Sequence, residues 1–282
     1  MNQIQADQSQ PALRQGRGLL GKKVLGLAFF GLFVLSGCAS THLVAGETTD
    51  EGMASATRDV GIDHLSQGRT AMAIRKLREA QGLDPSDPVT YLSLGEAYRR
   101  KGLLQEAEIE LIEALRLSDD PSDFNYQETL LNLSVLYIQM ERYEDSIERA
   151  QTLVTDPTFS SPWRALTNKG WAEFKLGRYG AARASFDEAL DFHPRYAPAH
   201  LNLGILDQKE HLFLPALNHY EQAAEAGRMA PNALAEANYR MAEVYVSLGN
   251  RGKAIEHFNV ALDRSPYGPW GEQSRSYLEL LR

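Results

Sequence analysis

WRALTNKGWAEFKLGRYGAARASFDEALDFHPRY, running from Trp163 to Tyr196, decides how the rest of the chain is read. Counted from Trp163, position 8 is Gly170, position 20 is Ala182, position 24 is Phe186, position 27 is Ala189 and position 32 is Pro194. Gly177, at position 15, divides the stretch into two segments of helical length. A glycine there takes a left-handed backbone conformation and ends the first helix. Small residues at positions 8 and 20 let the two helices touch, while 24 and 27 face the next unit. Pro194 stops the second helix and turns the chain.

Working outward, the same pattern returns at the same period. Residues 54–87 carry Gly61, Ala73, Leu77, Ala80 and Pro85. Residues 88–121 carry Gly95, Ala107, Leu111 and Ala114, with the proline displaced to Pro121. Residues 127–160 depart furthest, with Ser134, Ser146, Ala150 and Leu153. After 163–196 come 197–230, with Gly204, Ala216, Tyr220 and Ala223, and 235–268, with Ala242, Ala254, Phe258, Ala261 and Pro266. Gly68, Gly102 and Gly249 stand where Gly177 stands. Short insertions fall at 122–126, 161–162 and 231–234. The pattern resembles the tetratricopeptide repeat (TPR). It implies an all-α solenoid, a right-handed superhelix of about six helix-turn-helix units. Residues 269–282, with Trp270, Tyr277, Leu278 and Leu281, are expected to form a helix capping the open end of the stack, with Glu272, Arg275 and Arg282 facing water.

The first 37 residues read as an address. Residues 1–23 are polar and hold four basic residues and one acid, and 24–35 are uncharged and apolar. Crossing a bilayer takes about 20 apolar residues, so this run fits a signal-peptide core behind a positive region. Leu35, Ser36 and Gly37 then precede Cys38, the chain's one cysteine. This resembles the bacterial lipobox, which implies cleavage before Cys38 and attachment of a diacylglycerol and an acyl chain there. Ala39 and Ser40, rather than an aspartate after the cysteine, imply the outer membrane, on its periplasmic side. More than one acyl chain makes such an anchor stable. Residues 39–53 are expected to be a flexible tether, able to reach about 50 Å when extended.

Charge and motifs narrow the function classes. The net charge is −8, and without residues 1–37 it is −11, from 25 Lys+Arg against 36 Asp+Glu. Such a chain is a poor holder of a phosphate backbone, so no nucleic-acid partner is expected. No nucleophile elbow, Gly-rich phosphate loop or His-Glu-x-x-His motif occurs. The seven histidines are scattered, and Glu106, Glu108 and Glu110 are expected on a solvated helix face. No catalytic or metal residues, small-molecule substrate or cofactor beyond the lipid are expected: the chain reads as a scaffold that binds protein.

Stacked TPRs present a concave wall made by the first helix of each unit. By the family's mapping, positions 2, 5, 6, 9, 12 and 13 line it. Position 6 is asparagine in three successive units, Asn132, Asn168 and Asn202. Each offers a donor and an acceptor to an extended peptide. Around them lie Leu131, Val135 and Ile138, then Trp171 and Phe174, then Leu201 and Ile205. A contiguous exposed apolar wall marks a partner site, with Trp171 as a candidate anchor. Position 5 lacks the Lys and Asn alternation that clamps a terminal carboxylate, so an apolar or amphipathic segment is expected rather than a charged peptide end.

The lipobox, the tether, six repeats and the irregular joint Asp156–Pro162 before Trp163 together resemble the type IV pilus biogenesis/stability lipoproteins, or pilotins. The resemblance implies help for the pilus secretin in reaching the outer membrane and forming its ring. The partner would be a secretin subunit whose apolar segment the groove masks in transit. An alternative with the same anchor and fold is a periplasmic adaptor for peptidoglycan hydrolases or synthases, and co-purified partners separate the two.

Overall fold

Each repeat folds as a helical hairpin because its breakers fall where the two helices meet. The structure is a computed structural model that describes residues 50–227 and 229–281. The expected signal peptide, Cys38 and the tether up to residue 49 lie outside the described residues. The hairpins are α1 (Asp50–Ser66) with α2 (Thr70–Leu83), α3 (Pro88–Arg100) with α4 (Leu104–Leu117), and α5 (Phe124–Gln139) with α6 (Tyr143–Thr155). They continue with α7 (Pro162–Lys175) and α8 (Tyr179–Phe192), α9 (Ala197–Lys209) and α10 (Phe213–Glu225), and α11 (Pro231–Ser247) and α12 (Arg251–Arg264). A last helix, α13 (Pro269–Leu280), follows, and there is no strand among the described residues.

At the hairpin turns Gly68, Gly102, Gly177 and Gly249 have φ between 72° and 79°. The other two turns place side chains in the same left-handed region, Glu141 at φ 59° and His211 at φ 61°. Helix starts are fixed by Asp87 and Asp123, whose carboxylates accept from the amides of Val89 (3.1 Å) and Asn125 (2.8 Å). Pro88 and Pro162 stand in first turns, where an amide hydrogen is not needed.

Within a hairpin, the glycine at position 8 and the bulky residue at position 24 interlock. A Cβ at Gly95 would lie 2.5 Å from Leu111 Cγ, one at Gly170 2.7 Å from Phe186 Cε1, and one at Gly204 2.5 Å from Tyr220 Cε1. Leu77, Leu111, Phe186, Tyr220 and Phe258 are each 0% exposed. The third hairpin solves the packing differently, with Ser134 at position 8 and the small Ala150 at position 24. Neighbouring hairpins are also tied by polar pairs at about one-repeat spacing: Arg142–Glu108 (2.7 Å), Arg178–Glu144 (2.5 Å) and Arg164–Glu128 (2.5 Å). Exposed pairs of this kind add little to stability.

Three boundaries differ from the sequence reading. Helix α1 starts at Asp50, so residues 50–53, expected in the tether, form its first turn; Asp50 and Glu51 suit the positive end of the helix dipole. The insertions at 122–126 and 231–234 largely lengthen helices: α5 and α11 begin at Phe124 and Pro231, giving helices of 16 and 17 residues. Glu110 does not lie on a solvated face. It is 4% exposed and paired with Arg78 at 2.9 Å. At the far end α13 covers the last hairpin through rings: Tyr277 stacks on Phe258 at 4.9 Å and Trp270 meets Tyr239 at 5.2 Å. Glu272 and Arg275 are exposed.

Candidate protein-binding groove

The first helices of successive hairpins touch one another, α3 to α5, α5 to α7, and α7 to α9. Two concave pockets open along the wall they make. One, about 270 Å³, lies between α3, α5 and α7 and is mostly polar. Asn132, Val135 and Asn168 line it with Leu131, and Tyr196 closes one side. Its charges are matched: Arg99 pairs with Glu96 at 2.6 Å, and Arg164 with Glu128 at 2.5 Å.

The other pocket, about 520 Å³, lies between α7, α9 and the facing side of α11. Its floor is Trp171 stacked on Phe174, centroids 5.1 Å apart and planes 18° from parallel, with Ile205 beside them. Lys175, Lys209, His211 and Arg240 stand on the rim. Trp171 and Phe174 are half-buried, resting on the core of the following hairpin while leaving ring surface open.

Some expected wall residues are not where the sequence put them. Leu131 (3% exposed), Leu201 (9%) and Ile205 (9%) belong to the packed layers between helices, and only edges of Leu131 and Ile205 reach the pockets. Positions 5 and 9 sit where the inner wall turns into the inter-helix seam. Val135, Ile138 and Asn202 are half-buried on α5 and α9. The asparagines do not form a free ladder. Asn132 Nδ2 donates to the Glu128 carbonyl at 2.9 Å, and Asn168 Nδ2 donates to Ser134 Oγ at 2.8 Å. Each amide has a second hydrogen and a carbonyl oxygen left for other partners. The cationic rim and Tyr196 were not singled out from the sequence. Lys at position 13 of two successive units was the legible signal.

Two features lie off this wall. A cleft of about 480 Å³ is lined by Trp163, His193 and Tyr196, with Trp163 and His193 at 5.2 Å. Between α8, α9 and α10, Arg183 donates to the buried Asp207 at 2.6 Å and to Glu210 at 2.7 Å. There the His200 and His219 rings approach at 3.3 Å between Nδ1 atoms, so one of them carries the hydrogen. Burial pushes the His219 imidazole below its ordinary value, and burial likewise pushes the Asp187 carboxyl up. Among the described residues no group of three or more His, Cys, Asp or Glu is placed to hold a metal, and no helix is long and apolar enough to cross a membrane.

Profiles described as Tetratricopeptide repeat match residues 59–123, 131–197 and 235–267. The chain belongs to the tetratricopeptide repeat family. Within it, the chain is similar to the type IV pilus assembly protein PilF of Pseudomonas aeruginosa, 25% identical over 223 residues that make up 78% of this chain and 86% of that protein. The solved structure of PilW, described as a widely conserved type IV pilus biogenesis factor, has a TM-score of 0.65 at 19% identity, covering 78% of this chain and 97% of that one. The Cut9–Hcn1 structure from the APC/C has a TM-score of 0.67 at 20% identity, covering 81% of this chain and 42% of that one. This last likeness shows that the TPR fold alone does not carry the function. The expected resemblance to type IV pilus biogenesis TPR proteins therefore rests on PilF, while PilW shows the shared fold.

Proposed function

We propose that this TPR chain is a lipoprotein held at the periplasmic face of an outer membrane by acyl chains on Cys38. Its groove binds a segment of a pilus secretin subunit while that subunit reaches the membrane and assembles. The chain binds and carries; it does no chemistry. What supports this reading most is the open, aromatic-floored pocket on α7 and α9 in a chain similar to a type IV pilus assembly protein over 78% of its length. Half-exposed aromatic rings set in a concave wall are the usual anchors of protein recognition.

The test is genetic and direct. The gene is deleted, and unboiled outer-membrane samples are run on a denaturing gel and blotted for the pilus secretin. Loss of the high-mass multimer, with recovery on return of the wild-type gene, is the expected result. A multimer that persists unchanged in the deletion refutes the proposal. A Cys38→Ala gene that restores the multimer in full would remove the anchor from the mechanism.

A further inference from the structure

The groove is asymmetric in charge. In the pocket between α3, α5 and α7, both arginines already hold carboxylates. The pocket around Trp171 differs. Lys175 and Lys209 occupy the same position of successive repeats, so one repeat separates them along the wall. Among the described residues, neither ammonium has a carboxylate within ion-pair reach; Lys175 Nζ instead lies 6.0 Å from the centre of the Trp171 ring. Arg240 opposite them is compensated, with Glu236 at 3.3 Å and Glu243 at 3.8 Å. Glu173, on the same helix as Trp171, is turned inward and accepts from Ser185 at 2.7 Å. Counting Lys175, Lys209 and Arg240 against Glu236 and Glu243, three cations to two carboxylates, this rim keeps one net positive charge, in a chain whose net charge is −8.

We infer that the Trp171 pocket takes an acidic amphipathic protein segment. A bulky apolar side chain sits on the Trp171–Phe174 stack, and Asp or Glu side chains beside it pair with Lys175 and Lys209. The inference rests on the protein-binding reading of the groove and names the chemistry of its partner. A purely apolar segment would leave two ammonium groups facing it unpaired, and a basic segment would be repelled. A nucleic acid would meet these two lysines and then the repulsion of a strongly acidic chain. Charge complementarity of this kind sets which partner binds and how fast, while the aromatic floor supplies the hold.

The test uses the full chain and fluorescent peptides capped at both ends, so that no terminal carboxylate takes part. One peptide places Asp and Glu around a Phe-Leu core. A second replaces the acids with Asn and Gln, and a third with Lys. Anisotropy titration at low salt is expected to show the acidic peptide binding about tenfold or more tightly than the neutral one, a gap that narrows as salt is raised. Lys175→Glu with Lys209→Glu, both exposed positions, is expected to abolish that gap and to favour the Lys peptide instead. Equal binding of acidic and neutral peptides, or a preference that survives the double reversal, would each overturn the inference. If the neutral peptide binds as well as the acidic one and Trp171→Ala abolishes that binding, the groove reading stands while the acidic assignment falls. If no peptide binds and Trp171→Ala leaves secretin capture intact, both fall.

Discussion

Gly204→Ala and Gly180→Ala make the same chemical change in two helices, and the packing predicts opposite results. At Gly204 the new Cβ would lie 2.5 Å from Tyr220 Cε1, 2.6 Å from Cδ1 and 3.0 Å from Cζ. Carbon atoms in contact prefer about 3.5–4.0 Å, so roughly 1 Å must be recovered by moving the ring or the helix. Tyr220 has little room to move. It is 0% exposed, and its hydroxyl donates to Gln208 at 2.7 Å. Overpacking of this kind costs about 1–3 kcal/mol. At Gly180, on the outside of α8, nothing lies within 4 Å of the new Cβ. The propensity gain of up to about 1 kcal/mol applies in full at Gly204, inside α9, and less at Gly180, in the first turn of α8, so the difference between them understates the overlap rather than exaggerating it. Gly204→Ala should therefore be less stable than Gly180→Ala by about 1–3 kcal/mol. Because a solenoid opens locally, the readout is urea denaturation by circular dichroism paired with hydrogen exchange at the α9 and α10 amides. In a Tyr220→Ala background the overlap disappears, and Gly204→Ala should become stabilising, as the natural pairing of Ser134 with Ala150 anticipates. Equal effects of the two glycine substitutions, or no coupling to Tyr220, would refute the interlocking of positions 8 and 24.

Glu141→Gly and His211→Gly relieve side chains held at φ 59° and 61°, and each should raise stability by about 1 kcal/mol in urea titration. Acidification from pH 7 towards 5 should weaken the fold. Burial holds His219 and His257 below their ordinary value, so over that window the unfolded chain binds more protons and stability is lost as the pH is lowered. His219→Gln with His257→Gln should flatten the urea midpoint against pH there. Phe186→Ala empties a fully buried site and should cost about 3–5 kcal/mol, with hydrogen-exchange protection lost first in α7 and α8.

The fold was legible because the interlocking residues are the ones that repeat. Gly95 with Leu111, Gly170 with Phe186 and Gly204 with Tyr220 interlock the two helices of their hairpins. The insertions were legible only as breaks in period. That they lengthen α5 and α11 depends on Asp123 capping one helix and Pro231 opening the other, local signals that a repeat count passes over. The groove was legible as a set of positions but not as a surface. Trp171, Phe174, Asn132, Asn168 and Val135 do line pockets, whereas Leu201 is absorbed into the seam with α10 and α11. How far each hairpin leans over the next decides this, and that angle is not written at any one position. The pairing of Arg164 was hidden for a similar reason. Arg164 meets Glu128 only once two helices are laid side by side.

The central claim is that the wall of α5, α7 and α9 holds the secretin subunit. It is tested most directly by a pull-down of purified secretin subunit with the wild-type chain, Trp171→Ala and Val135→Asp, each checked for intact helical content. The account predicts that both variants capture clearly less secretin than wild type while keeping its helical signal. Undiminished capture by both would contradict it and move the binding surface elsewhere on the solenoid.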